Sequence, residues 1–419
     1  MTRIAIPEGM ETRFFIMAEH VLNEIPELLA TAFPGRKPWI IADGNTWEAA
    51  GKELSGLLKE QYPPKIFPAS PRLHPQSSLS DAIAGEMPSD AVPLAVGSGV
   101  INDVIKRAAG IRNIPYCCVP TACSVDGYTS YGAAMTVDGF KKTLPCPAPY
   151  AIATDLSVLR SAPADMFAAG YADLFTKIPA GADWLIADAL GIEKIRANIW
   201  ELVQSKLRER IADPSDMGPV FEGLAATGYS MQLYRESRPA SGAEHLMSHI
   251  WEMEGLQYKG EDVSHGFKVA IGVLASLRLM NFIIGHSVSE AQSMALAPET
   301  AEQRLGHVNA LLKRGCYGPA PAKLAMEKFL QGKELEERRR AIWNVWEDLR
   351  VKLRRQLLSE AETTALFRQA HVPVLPEEIG LSHEQYRHGV ESAQLIRKRY
   401  TVLDFLYEAG LFPAALATL

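Results

Sequence analysis

The sequence predicts two parts, an α/β domain over residues 1–162 and an all-helical domain over residues 163–419. Three observations predict this. Short β-rich runs alternate with helical runs through the first 160 residues, the texture changes near residue 163, and the periodic segments beyond it have helical spacing. Strands alternating with helices imply a parallel sheet covered on both faces. A chain of 419 residues also suits two or three domains at roughly 100–200 residues each.

The elements follow in order. PWIIAD (38–43) is short, apolar and ends in an acid, and KIFPAS (65–70) is a second candidate strand. AVPLAVGSG (91–99) is a third, running into a glycine turn; IPYCCVPT (114–121) is a fourth; residues 147–163 hold a last strand leading to a connector. NTWEAAGKELSGLLKE and VINDVIKRAAG lie between them with helical spacing. Beyond residue 163 the apolar run 269–285 is interrupted by Arg278 and Asn281. It is too short to span a bilayer comfortably and is expected to be a buried core helix, so no membrane span is expected. In the long charged run 333–362 acids and bases interleave, which suits a solvated helix face and not a nucleic-acid patch.

Composition narrows the function classes. With 47% hydrophobic and 22% charged residues, the chain has ample apolar surface for a core, which excludes a disordered or collagen-like protein. A net charge of −6 does not suit gripping a phosphate backbone, so no nucleic-acid partner is expected. The five cysteines (Cys117, Cys118, Cys123, Cys146 and Cys316) show no zinc-finger spacing and are expected as reduced thiols in the cytoplasm. The N-terminus, MTRIAIPEGMETRFF, has no continuous apolar stretch of signal-peptide type.

Two constellations could carry chemistry. VGSGVIND (96–103) follows a predicted strand and opens a predicted helix, with Gly97 and Gly99 able to let backbone approach a ligand closely. The helix start offers N–H groups and a positive dipole end to a pyrophosphate, and Asp103 near its first turn suits the same dipole. The plainer alternative is an ordinary strand-to-helix turn. Asp43, at a strand end, could bond a ribose hydroxyl pair and favour NAD over NADP. It precedes the glycine turn, whereas the usual order places the acid about twenty residues after it. The second constellation is one carboxylate and several imidazoles. Asp173 and Lys177 are four apart, His245 and His249 are four apart, and His265 precedes a glycine. One carboxylate and two imidazoles form a three-ligand set for a divalent metal with an open position. The plainer alternative is a helix face with two solvated histidines.

The runs GSGVIND, PTACSVDGYTS, GFKKT, AAGYADLFTKIPAGADW, SRPASGAEHLMSHIWEM and HGFKVAIGVL occur in that order. Together they resemble the glycerol-1-phosphate dehydrogenase family, within the superfamily of iron-dependent alcohol dehydrogenases, glycerol dehydrogenases and dehydroquinate synthases. The resemblance runs from about Asp43 to about residue 275. It implies a Rossmann-like nucleotide-binding N-terminal domain and an all-helical, metal-binding C-terminal domain of dehydroquinate synthase-like type. It also implies Asp173, His245 and His265 as metal ligands; zinc and nickel both accept such nitrogen and oxygen donors. Gly97, Ser98, Gly99 and Val100 match its pyrophosphate turn, with Asp103 in the following helix. Thr121, Ser124 and Ser130 match residues beside NAD(H) or NADP(H), Asp43 matches the adenosine-ribose acid, and Asp126 matches a residue at the substrate.

The implied activity is metal-dependent hydride transfer between a nicotinamide and a phosphorylated three-carbon substrate, interconverting dihydroxyacetone phosphate and sn-glycerol 1-phosphate. The alternative enzyme is a glycerol or other polyol dehydrogenase acting on an unphosphorylated substrate. A lyase of dehydroquinate-synthase type and a metal-free helical binding module are further alternatives, which SRPASGAEH and the Asp, His, His trio argue against. Arg238 lies seven residues before His245, two helical turns if that segment is helical, and is expected on the substrate phosphate. Lys177, Lys141 and Lys142 are further cations. His249, one turn beyond a ligand, is expected to relay a proton. The apolar content of the helical domain is expected to support a homodimer.

Overall fold

The computed structural model describes residues 4–137, 140–313, 315 and 317–419; Cys316 and the Lys141 side chain lie outside what is described. The chain forms two compact units, Met1–Leu174 with Arg208–Ser237, and Phe175–Leu207 with Arg238–Leu419.

The first unit is built on a six-stranded sheet: β1 (Phe14–Ala18), β2 (Lys37–Asp43), β3 (Lys65–Phe67), β4 (Ala91–Gly97), β5 (Cys117–Pro120) and, after a hairpin of β6 (Ala133–Val137) and β7 (Phe140–Leu144), β8 (Ala151–Asp155). The order is β1-β8-β5-β4-β2-β3, and every neighbouring pair is parallel. The parallel sheet is the one the alternation predicts. Its inner strands read as near-continuous apolar runs because both faces are covered; β4 is buried along its whole length. Two strand features were not among the sequence expectations, the edge strand β1 and the antiparallel β6–β7 hairpin.

Parallel strands end together, so Asp43, Gly97, Pro120 and Asp155 all stand at the carboxyl edge of the sheet. That edge is where open α/β sheets bind ligands. The helix Met217–Tyr234 also belongs to this unit and holds the loop after β5. Thr129 Oγ1 donates to the Ala225 carbonyl at 2.8 Å, and Gln232 Nε2 donates to the Thr129 carbonyl at 2.6 Å.

Among its described residues the second unit is helical apart from loops and a two-stranded ribbon at 257–262. The apolar run at 269–285 is part of a longer helix, His265–Gly285, because HGFK joins its first turn behind the cap residue Ser264. Among the described residues this is one helix long and apolar enough to cross a membrane, and 78% of its most apolar stretch is buried inside the fold. Arg278, which interrupts the apolar run, pairs with Glu360 at 2.7 Å. The charged run splits into helices Gly332–Gln356 and Glu360–Gln369, the second started by a Ser359 capping box. In the tail only Val402–Ala409 of LIRKRYTVLDFLYEAG is helical, begun by a Thr401–Asp404 capping box.

Candidate active site

The glycine turn has the backbone the sequence anticipates. β4 ends at Gly97, Ser98 is extended, and the helix Gly99–Arg112 begins at once. A Cβ on Gly97 would lie 2.5 Å from the Cβ of Ile101, and one on Gly99 would lie 3.0 Å from Val125. The turn is therefore tight against both its own helix and the loop after β5. Ser98 makes no side-chain bond to the helix start, so the first-turn N–H groups are not capped by that side chain.

Of the residues expected beside the cofactor, Thr121 bonds to this turn, and Ser124 and Ser130 lie on the loop that follows β5. Thr121 N–H donates to the Gly97 carbonyl at 3.1 Å. Ser124 Oγ lies 3.0 Å from the Tyr128 hydroxyl. Ser130 Oγ lies 3.0 Å from Lys106 Nζ. Lys106 is fully buried and was missed in the sequence, where VIKRA reads as an ordinary helix interior. It also donates to the carbonyls of Gly127 (2.7 Å) and Gly132 (3.0 Å), which ties the 126–132 loop to the helix after the glycine turn. Asp103 stands 3.6 Å from Lys106 Nζ, a closer engagement than the helix dipole alone. Asp43 caps the short helix that follows β2: its Oδ1 accepts Thr46 N–H at 2.9 Å.

Asp173 lies on the helix Ala164–Phe175 and is 1% exposed. Its Oδ2 accepts the Asp126 N–H at 2.9 Å, which joins the expected substrate residue to the expected ligand. Gly170, one turn before, permits this. A Cβ there would lie 2.0 Å from the Cys123 carbonyl oxygen, so the helix meets the loop backbone directly.

His245 and His249 are on the helix Ala243–Met253, and His265 opens the helix His265–Gly285. Gly272 lets the two helices approach; a Cβ on it would lie 2.5 Å from the Glu244 carbonyl oxygen. The His245 and His265 ring centroids are 5.2 Å apart, and His249 stacks 6.3 Å from His265. Within the second unit His245 and His265 thus form a close pair of imidazoles, while Asp173 is the buried carboxylate of the first unit. Two imidazoles and a carboxylate are borderline-to-hard donors that suit a divalent transition metal. Glu244, buried and absent from the sequence expectations, places its Oε1 2.8 Å from His245 Nδ1.

The cations have less open placements than the sequence suggests. The segment before His245 is not helical, since its helix starts at Ala243, so the two-turn spacing of Arg238 does not apply. Arg238 is 2% exposed. Its guanidinium donates to the Tyr400 carbonyl at 3.0 Å and the Asp183 carbonyl at 2.9 Å, and it pairs with Glu193 at 2.8 Å. Lys177 is fully buried and donates to Thr176 Oγ1 at 3.0 Å. Lys142 is exposed on β7. Lys268, one turn into the helix that His265 opens, is buried, with Glu252 3.8 Å away. The described cysteines 117, 118, 123 and 146 are free and buried, and burial pushes the Cys117 thiol up to about 12 and the Cys146 thiol up to about 11. Neither is poised as a nucleophile.

The family model described as iron-containing alcohol dehydrogenase matches residues 16–163. A glycerol-1-phosphate dehydrogenase (NAD(P)+) from Bacillus licheniformis is 30% identical over 410 residues, covering 94% of this chain and 88% of that protein. This chain belongs to the glycerol-1-phosphate dehydrogenase family. A Bacillus subtilis member of the glycerol-1-phosphate dehydrogenase family is 36% identical over 249 residues, 55% of this chain and 62% of its own length. Among solved structures, a probable glycerol dehydrogenase from Sinorhizobium meliloti aligns with a TM-score of 0.59 at 14% identity, covering 96% of this chain and 94% of that one. That likeness concerns the fold. The resemblance read from GSGVIND through HGFKVAIGVL thus points to the same family, and the expected Rossmann-like unit with a helical C-terminal part is the fold observed.

Proposed function

We propose that this chain interconverts dihydroxyacetone phosphate and sn-glycerol 1-phosphate by hydride transfer with NAD(P)(H), dependent on a divalent metal. The observation that carries the reading is membership of this family, supported by the close His245–His265 imidazole pair and the buried Asp173 carboxylate. When bound, the metal supplies Lewis acidity toward a carbonyl or alcohol oxygen, and the nicotinamide supplies or accepts the hydride.

The chain's own residues do the rest. Asp173, His245 and His265 hold the metal, which we take to be zinc or nickel. The first-turn N–H groups after Gly97, Ser98, Gly99 and Val100 receive the pyrophosphate. Thr121, Ser124 and Ser130 line the cofactor, and Asp43 selects the unphosphorylated ribose of NAD. Asp126 contacts substrate. His249 holds the proton that reduction delivers to the substrate oxygen and accepts it back in oxidation. The buried guanidinium of Arg238, bonded to the Tyr400 and Asp183 carbonyls, organises the loop ahead of His245. We further propose a cytoplasmic homodimer.

NADH oxidation with dihydroxyacetone phosphate, set against dihydroxyacetone, with and without a chelator, tests the reading. Turnover confined to the phosphorylated ketone and abolished by chelation supports it. Equal turnover of both ketones would favour the polyol dehydrogenase.

A further inference from the structure

We propose that Glu244 is the positioning residue of the metal centre: its carboxylate fixes His245 as the Nδ1–H tautomer, so that Nε2 is the nitrogen presented to the metal. The inference rests on the proposed metal-dependent reading and extends it to a residue outside the ligand set. Metal-ligating histidines commonly donate their other ring N–H to a carboxylate, which fixes the ring and raises its basicity.

Glu244 is built for this. It is fully buried, and its Oε1 accepts the Gly242 N–H at 2.6 Å and lies 2.8 Å from His245 Nδ1, where a carboxylate oxygen calls for a donor. Neighbouring side chains on a helix do not normally face one another. Here they meet because Glu244 stands in the helix's first turn and bends back over its cap residue, Gly242. The carboxylate is thereby anchored to the backbone before it reaches the ring.

A second carboxylate locks the same turn. Asp183 Oδ2 accepts the Ala243 N–H at 2.7 Å, and its Oδ1 accepts the Val402 N–H at 2.6 Å. It therefore ties together the starts of two helices, where carboxylates are favoured by the dipole. A Cβ on Gly242 would lie 2.4 Å from Asp183 Oδ2 and 2.9 Å from Glu244 Oε2, so only glycine lets both acids close on this turn. Gly272 brings the opposite helix against the Glu244 backbone itself. The rigid position of Glu244, rather than chance proximity, sets the ring's orientation.

The test uses the full-length protein, with Co2+ as the metal probe. Visible cobalt absorption reports the ligand field, and 15N chemical shifts of histidine report the tautomer. The expected result is that wild type shows His245 as the Nδ1–H tautomer before metal is added. Glu244→Ala should lose that tautomer and about 10- to 100-fold in Co2+ affinity. Glu244→Gln, which can still accept the N–H, should keep the tautomer and bind more tightly than the alanine variant. Wild-type Co2+ affinity and spectrum in Glu244→Ala would overturn the proposal, as would an Nε2–H tautomer for His245 in wild type. If Glu244→Ala does not fold, the wild-type tautomer and Glu244→Gln decide alone. The catalytic reading is judged separately: a wild type that binds Co2+ through the Nδ1–H tautomer but fails to reduce dihydroxyacetone phosphate sinks the substrate assignment and leaves Glu244's role standing.

Discussion

Gly272→Ala offers a sharp perturbation of the site without touching a ligand. The new Cβ would meet the Glu244 carbonyl oxygen at 2.5 Å and the Glu244 Cα at 2.9 Å. These are backbone atoms in the interior of a packed helix pair, so no side chain can swing aside. Reaching an ordinary contact of 3.4 Å from 2.5 Å requires the helices to part by about 0.9 Å. Metal–ligand distances tolerate only about ±0.2 Å, and His245 and His265 sit on the two helices that must separate. Overpacking of this kind costs about 1–3 kcal/mol of stability. A displacement of about 1 Å costs about a hundredfold in catalysis.

Gly285→Ala is the control. It lies on the same helix with nothing within 4 Å of its would-be Cβ. There the added methyl should stabilise by about 0.4–1 kcal/mol through the unfolded chain. The assay is thermal unfolding together with Co2+ titration of both variants. Gly272→Ala should melt earlier and bind cobalt at least tenfold more weakly, while Gly285→Ala matches or exceeds wild type on both measures. If the two variants behave alike, the helix contact at Gly272 does not set the ligand spacing.

Further outcomes follow from other positions. His265→Ala should lose bound metal and turnover together with the fold retained, checked by metal content and circular dichroism; an active metal-free variant would remove His265 from the ligand set. Asp43→Ser should raise use of NADPH relative to NADH, measured as the ratio of kcat/KM values, with the cap to Thr46 N–H retained because serine caps a helix start about as well as aspartate. His249→Gln should lower turnover and flatten the pH–rate profile with metal content unchanged; an unaltered profile leaves His249 a packing role. For Asp183, burial and the Glu244 charge raise the carboxyl from 3.8 to about 7. The folded state then holds a proton that the unfolded state has released, so this group's contribution to stability declines as pH rises from about 4 to about 7. Wild type should lose melting temperature across that window more steeply than Asp183→Asn, and parallel slopes would show that Asp183 is ionised throughout.

Much of the fold was legible because the inner strands of a parallel sheet announce themselves: WIIA and PLAV are apolar without alternation. β1 was not, since FFIMA is a five-residue run at the sheet edge whose pairing with β8 spans more than a hundred residues. The hairpin was missed although its sequence carries an Asp-Gly pair at 138–139, a recognised hairpin signal. Arg238 was read by helical spacing across RPASG, yet Pro239 disfavours helix at the residue before it. The proposed ligands were legible as His and Asp on apolar helices; Glu244 was hidden because sequence spacing carries no information about a side chain bent back over its own cap.

The residues that most constrain the site geometry are glycines, and sequence alone gives them no distinction. Gly170, Gly242 and Gly272 have none of the positive φ angles that mark turn glycines. Each is required by what a Cβ would strike: the Cys123 carbonyl at 2.0 Å, the Asp183 carboxylate at 2.4 Å and the Glu244 carbonyl at 2.5 Å. Gly228 belongs with them, since a Cβ there would meet the Asp126 carbonyl at 2.9 Å, on the segment whose N–H holds Asp173. Histidine and aspartate supply the donor atoms, but a donor becomes a ligand only when its backbone is brought within a few tenths of an ångström of the right place. In each compact unit that placement is made by helix backbone pressed against other backbone or buried carboxylates, an arrangement that any side chain larger than hydrogen would wedge open.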